Sequence, residues 1–246
     1  MFLLLLVCSL SMTSYAESKV TISSGMDVYN RYVWRGLDIA STPSLQPTLS
    51  LTWGNFELGT WAAYTLSNQE SESDEIDFWL GYTIPFDNGA SLSAILTDYY
   101  FPNAGIGLFN FNNHDAVRFD TDAGDFVPDP GAHTVEAGLA FGGSESFPIT
   151  VAGYVNIHND AGSNAYFQIK YPFLVGETQL NAFLGAAAGS EDNPDYYGTD
   201  NFQVINLGIG TTRDIKLSDA TSIPLNVSFF INPHADIAYL LAGFSL

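Results

Sequence analysis

The sequence predicts an all-β protein, a closed antiparallel up-and-down transmembrane β-barrel of about twelve strands. Three observations carry that expectation. Apolar residues recur at every second place along most of the chain, the connections between these runs alternate between short and long, and no stretch of helical period competes.

In chain order, a first strand is expected over 20–34. The second, over 45–53, sets Leu45, Pro47, Leu49, Leu51 and Trp53 on one face, with Gln46, Thr48, Ser50 and Thr52 between them. Gly54-Asn55 turns the chain, and Phe56, Leu58, Ala62, Tyr64 and Leu66 keep the period over 56–66. This is a hairpin signal with a two-residue turn. Ile76, Phe78, Leu80, Tyr82 and Ile84 mark a strand over 75–86, followed by 91–99 and by 133–141 with Val135, Ala137, Leu139 and Phe141. Ile149 to Ile157, Phe167 to Phe173 and Leu180 to Ala186 alternate in the same way, giving strands over 148–157, 165–173 and 177–188. The last three are expected over 202–212, 222–231 and 236–246. Connections after even-numbered strands are mostly tight. Those after odd-numbered strands are long, apart from a short final one at 232–235. Membrane barrels sort their connections in this way, with short periplasmic turns and longer outer loops.

Residues 2–10 are the only long apolar run, too short to cross a bilayer as a helix. With Ser14-Tyr15-Ala16 behind them they read as a secretory signal over 1–16, leaving 17–246 as a single barrel domain. The single cysteine, Cys8, lies within that signal, so the rest of the chain suits an oxidising compartment. A formal net charge of -20 argues against nucleic acid as a partner.

A soluble barrel would alternate too, so the other face must decide what the apolar face touches. It carries mainly Ser, Thr, Gly, Ala, Asn and Gln, which suits a confined wet lumen better than bulk water. Aromatic residues gather near strand ends: Tyr32, Trp34, Tyr64 and Phe78 on the loop side, and Trp53, Phe56, Phe86, Phe141, Phe173 and Phe244 on the turn side. Two such groups match the girdles of a membrane barrel. Ala238, Leu240, Ala242, Phe244 and Leu246 finish the sequence as one apolar face, expected to close the barrel by pairing strand twelve with strand one. The expected location is the bacterial outer membrane, with its lipid and lipopolysaccharide as surroundings.

Strand one ends in Asp27-Val28-Tyr29-Asn30-Arg31-Tyr32-Val33-Trp34-Arg35-Gly36. Alternation points Tyr32 and Trp34 outward to the upper girdle, and Asp27, Arg31 and Arg35 inward. Two of the seven basic residues thus crowd one strand. Inward Glu57, Asp77 and Glu136 are their candidate partners, either across a pore constriction or as charge pairs that knit the lumen shut. The run Tyr32-Val33-Trp34-Arg35-Gly36, followed at once by the hairpin at 45–66, resembles the start of the TorF-like putative porins of Gram-negative outer membranes. The resemblance covers residues 27–66. It implies an outer-membrane barrel with a transport role and supplies no catalytic or ligand residues.

Most of the 27 acidic residues fall in or beside the expected outer loops. A one-signed rim steers solutes of opposite charge and predicts weak cation preference. The alternative is a solvated face that binds divalent cations beside lipopolysaccharide. Asp120, Asp122 and Asp125 are spaced as calcium ligands could be, yet lack the ligand series and glutamate of an EF-hand loop, so no metal site and no cofactor are expected. The long segment from about Tyr100 to Ala132 is expected to act as a lid or constriction. His114, His133, His158 and His234 lie near outer loops with no G-x-S-x-G or HExxH pattern, so no enzyme is expected. The chain thus reads as a passive channel for small hydrophilic solutes. A closed structural or binding barrel is the alternative, and a soluble lipid carrier with its apolar face inside is a third.

Overall fold

A computed structural model describes residues 19–67, 74–219 and 221–246. The expected signal over 1–16 lies outside the described residues, as do Glu70 and Glu72 of the acidic rim. Twelve antiparallel strands close into one barrel: β1 (Val20–Tyr29), β4 (Ser44–Trp53), β5 (Phe56–Thr65), β6 (Glu75–Pro85), β7 (Ser91–Tyr100), β10 (His133–Gly142), β11 (Thr150–His158), β12 (Ala165–Val175), β13 (Thr178–Ala188), β14 (Phe202–Lys216), β15 (Ser222–Asn232) and β16 (Ile237–Ser245). Each pairs with its neighbours in sequence order among these twelve, and β1 pairs with both β4 and β16.

The register explains the wall. Trp53 faces Phe56 across the Gly54-Asn55 turn, and Leu51–Leu58, Leu80–Leu96 and Leu184–Leu207 stand opposite one another on one face. That face is the outer one: Leu139 is 61% exposed and Leu240 60%, whereas Gln46, Asn156 and Asn206 are buried within. An apolar exterior overturns the lipid-carrier alternative, whose apolar edge must point to the centre. The girdle candidates Trp53, Phe56, Tyr64, Phe86, Phe141 and Phe244 stand exposed on the outer wall near strand ends, and Phe173 shares the outward parity of Tyr171. Trp53 stacks on Phe56, and Phe56 packs against Tyr82 at 4.6 Å between ring centres.

The first strand departs from expectation. β1 stops at Tyr29, and Asn30 ties it to β16: its amide donates to the Ala242 carbonyl at 2.9 Å, and its side chain bonds Leu240 O and Ala242 N. The chain then leaves the wall and forms an inner hairpin, β2 (Tyr32–Trp34) paired with β3 (Leu37–Ala40). Arg35 and Gly36 make its two-residue turn with φ of 51° and 88°. Positive φ at both central residues is the hairpin geometry that follows the twist of the flanking strands. Tyr32 and Trp34 therefore do not belong to an outer girdle. They are inside the barrel, because alternation continues through a strand that turns inward just as it does through one that stays in the wall.

What is buried in this protein is the hairpin and the wall around it. Tyr32, Ala40 and Ala63 pack with Trp61, Trp34 and Ile39. Tyr166, Ala187, Tyr197 and Ile205 pack with Trp34, Leu37, Tyr154 and Tyr196. A bulge in β14 opposite Gly185 and Ala186 sets Ile205 out of register, where it is fully buried beside the hairpin tip.

The connection between β7 and β10 carries a second hairpin, β8 (Val117–Asp120) with β9 (Asp125–Pro128). Its turn consumes the supposed calcium spacing. Asp120 Oδ1 accepts from the amides of Asp122 and Ala123 at 2.9 and 3.1 Å, Gly124 N donates to Asp120 O, and Asp125 Oδ1 takes its own neighbour's amide. Those amides hold the Asp120 carboxyl below the usual carboxylate range. A further element, β2–β3, enters the lumen.

Candidate functional site

The hairpin is the centre of the candidate site, and Arg35 at its tip is the centre of the hairpin. The Arg35 guanidinium forms a two-pronged pair with Glu136 of β10, Nη1 to Oε2 at 2.5 Å and Nη2 to Oε1 at 2.8 Å. Nη1 also donates to the Tyr197 hydroxyl at 2.6 Å, and the Tyr99 hydroxyl donates to Glu136 Oε1 at 2.9 Å. Three rings stack around the cation, with centres at 4.5 Å for Trp34, 4.4 Å for Tyr154 and 4.7 Å for Tyr166. A planar guanidinium suits both partners at once, a carboxylate in its plane and ring faces above and below. Burial pushes the phenols of Tyr196 and Tyr197 up, so both stay neutral beside it.

The wall is shaped to receive this cluster. Inward Tyr154 lies against Gly138 of the neighbouring strand and Tyr166 against Gly185. A Cβ at either glycine would meet the ring within 2.5 Å or the hydroxyl within 1.9 Å. Gly36 is held as tightly, since a Cβ there would lie 2.0 Å from the Ile205 carbonyl oxygen, and its own carbonyl accepts from Asn232 Nδ2 at 3.2 Å.

Of the inward residues singled out by alternation, the structure brings Arg35 and Glu136 together. Arg31 does not cross the lumen. It pairs with Asp38 of its own hairpin at 2.9 Å and lies over the Tyr239 ring of β16. Asp77 is inward on β6 beside Glu75, which accepts from the Tyr32 hydroxyl at 2.6 Å. Asp27 and Glu57 share the inward parity of β1 and β5, but among the described residues neither pairs with Arg31 or Arg35. The tyrosines at 99, 154, 166 and 197 were not anticipated. For Tyr99, Tyr154 and Tyr166 the available signal was an inward strand position filled by a ring, whereas Tyr197 lies in the connection between β13 and β14, where parity says nothing.

The outer loops add a second network. Asp160, in the connection after β11, accepts from Asn156 Nδ2 at 2.8 Å, Asn193 Nδ2 at 2.8 Å and Asn164 N at 2.7 Å. Burial works to raise its pKa, but these hydrogen bonds outweigh burial and hold the carboxyl below its ordinary value. His133 is equally occupied, with Nδ1 at 2.9 Å from Asp98 and Nε2 at 2.6 Å from the Leu108 carbonyl, stacked between Tyr100 and Phe111. These are loop-fastening contacts.

Comparison with curated proteins gives no match. A family profile, Gcw_chp, described as a bacterial protein of unknown function, matches residues 13–230, from before β1 to the penultimate residues of β15. The chain therefore belongs to the Gcw_chp family of bacterial proteins.

Proposed function

We propose that this protein is an outer-membrane barrel that passes small hydrophilic solutes or ions through a lumen restricted by its own β2–β3 hairpin. The observation that carries the reading is the pairing of an apolar exterior with a hydrophilic, arginine-clasped interior. Leu139, Leu240 and their outward neighbours form a surface suited to hydrocarbon, while Arg35, Glu136, Glu75, Asp77 and Asn206 face inward. Closure supports membrane residence as well, because it gives every wall strand a hydrogen-bonded neighbour on each side. The TorF-like resemblance over residues 27–66 points the same way, and those residues include the hairpin itself. The closed-barrel reading also has a specific observation in its favour, since Tyr32, Ala40 and Ile205 are buried around the hairpin as in an ordinary core.

Planar-bilayer recording separates the two. A gated channel carries little current as wild type and more when Arg35→Ala or Glu136→Gln opens the clasp. A barrel that stays silent in the wild type, in both variants and after the hairpin is replaced by a short Gly-Ser linker is a structural or binding barrel.

A further inference from the structure

Below the hairpin tip, on the tight-turn side, the lumen holds a chamber of about 200 Å³. Its roof is Val33, Arg35 and Gly36, and its wall comes from β12 to β16. The chamber inverts the chemistry of the chain. Against 27 acidic residues and 7 Lys or Arg overall, it is lined by Arg35 and Lys170 and by no carboxylate. Arg35 is spent on Glu136. Lys170 shares the inward parity of Tyr166 and Gln168 on β12 and has no hydrogen-bond or ion-pair partner among the described residues. Lys170 is exposed to the lumen, so an anion that enters the chamber can reach its ammonium and is favoured there by charge.

The other lining groups narrow the ligand. Phe183 and Phe230, 6.2 Å apart between ring centres, offer an apolar wall. The Ser228 hydroxyl and the Gln168 amide can each donate or accept a hydrogen bond. Asn206, nine-tenths buried, gives its Nδ2 to the Tyr166 hydroxyl at 3.1 Å and so fixes that part of the wall. The volume sets the size, since a cavity of roughly 150 Å³ already takes benzene.

We propose that this chamber binds a small singly charged carboxylate built on one ring or an equivalent apolar body and carrying one hydroxyl or amine donor. Lys170 holds the carboxylate, Phe183 and Phe230 the body, and the Ser228 hydroxyl the donor. The proposal deepens the channel reading and rests on it only for the route by which a ligand arrives. Binding is measured without transport, so the two readings fail separately.

The test is calorimetric titration of the purified full-length protein in detergent with 4-hydroxybenzoate. The neutral 4-hydroxybenzyl alcohol serves as the paired probe. Saturable binding of the acid is expected, weakened at least about tenfold in Lys170→Met, held within about threefold in Lys170→Arg, and falling as salt rises. The alcohol is expected to bind at least about tenfold more weakly than the acid. No saturable heat with the wild type, equal affinity in Lys170→Met, or equal affinity for acid and alcohol would each overturn the proposal. Should Lys170→Met not fold, Ser228→Leu fills the chamber from the facing wall. Loss of binding there supports the site, and retention overturns it.

Discussion

Arg35 occupies a backbone conformation that a side chain seldom adopts, with φ of 51°, next to a Gly36 that admits no Cβ. Such a geometry persists only where its surroundings over-determine it. Here the clasp to Glu136, the Tyr197 hydroxyl and three rings do so. Arg35→Ala removes all of these and strands a buried carboxylate, a loss of about 3–5 kcal/mol. A lowered thermal midpoint is expected, with partial recovery in Arg35→Ala combined with Glu136→Gln. Gly36→Ala is expected to cost about 1–3 kcal/mol from backbone conformation alone, with the Ile205 contact adding to it. Urea titration of the purified variant reads both. At Asp160 the folded pKa is depressed, so its contribution is present above the ordinary carboxyl value near 3.9 and is lost as pH falls through the folded value. Asp160→Asn is therefore expected to flatten the acid limb of the stability curve while costing stability at neutral pH. Comparative melts between about pH 2 and pH 7 report it.

At the scale of elements, the wall was legible in the sequence and the hairpin was not. Period two locates β4 to β7 and β10 to β16 to within a few residues, because one face of each must be apolar and the other must not. The same period runs unbroken through Arg31, Tyr32, Val33 and Trp34, and nothing in it distinguishes a wall strand from one folded inward. The missed cue was Arg35-Gly36, a two-residue turn between Trp34 and Leu37 like Gly54-Asn55 between Trp53 and Phe56. Inward placement of Arg35 and Glu136 was readable from parity. Their meeting was not, because strand order alone does not say how far a hairpin reaches. The wall offers its own test. Leu207→Arg, outward on β14, is expected to destabilise the bilayer-folded protein by about 2–4 kcal/mol if that position sits at the midplane. Urea titration in liposomes measures it. A near-neutral result would argue against hydrocarbon at that surface.

Across the whole molecule, acidic groups concentrate in the long connections. Acidic groups such as Asp115, Asp122, Asp192 and Asp195 lie in the outer connections, while the chamber on the turn side presents Lys170. An acidic mouth is expected to give an open lumen weak cation preference in a salt gradient. That preference should shrink as screening shortens from about 30 Å at 0.01 M to about 3 Å at 1 M. Reversal potentials at two ionic strengths measure it.

The barrel's last joint is also its shortest. β1 and β16 share the pairs Asp27–Ser245, Val28–Phe244 and Tyr29–Gly243, and above them Ile237–Leu241 have no strand on that side. Continued upward, this register would set Arg31 opposite Leu241 and Arg35 opposite Ile237. The inner hairpin and the missing length of zipper are thus one piece of polypeptide, available to only one task at a time. In the channel proposed above, a hairpin drawn out of the lumen would find this length of β16 unpaired, so that opening and lengthening the joint would be one change.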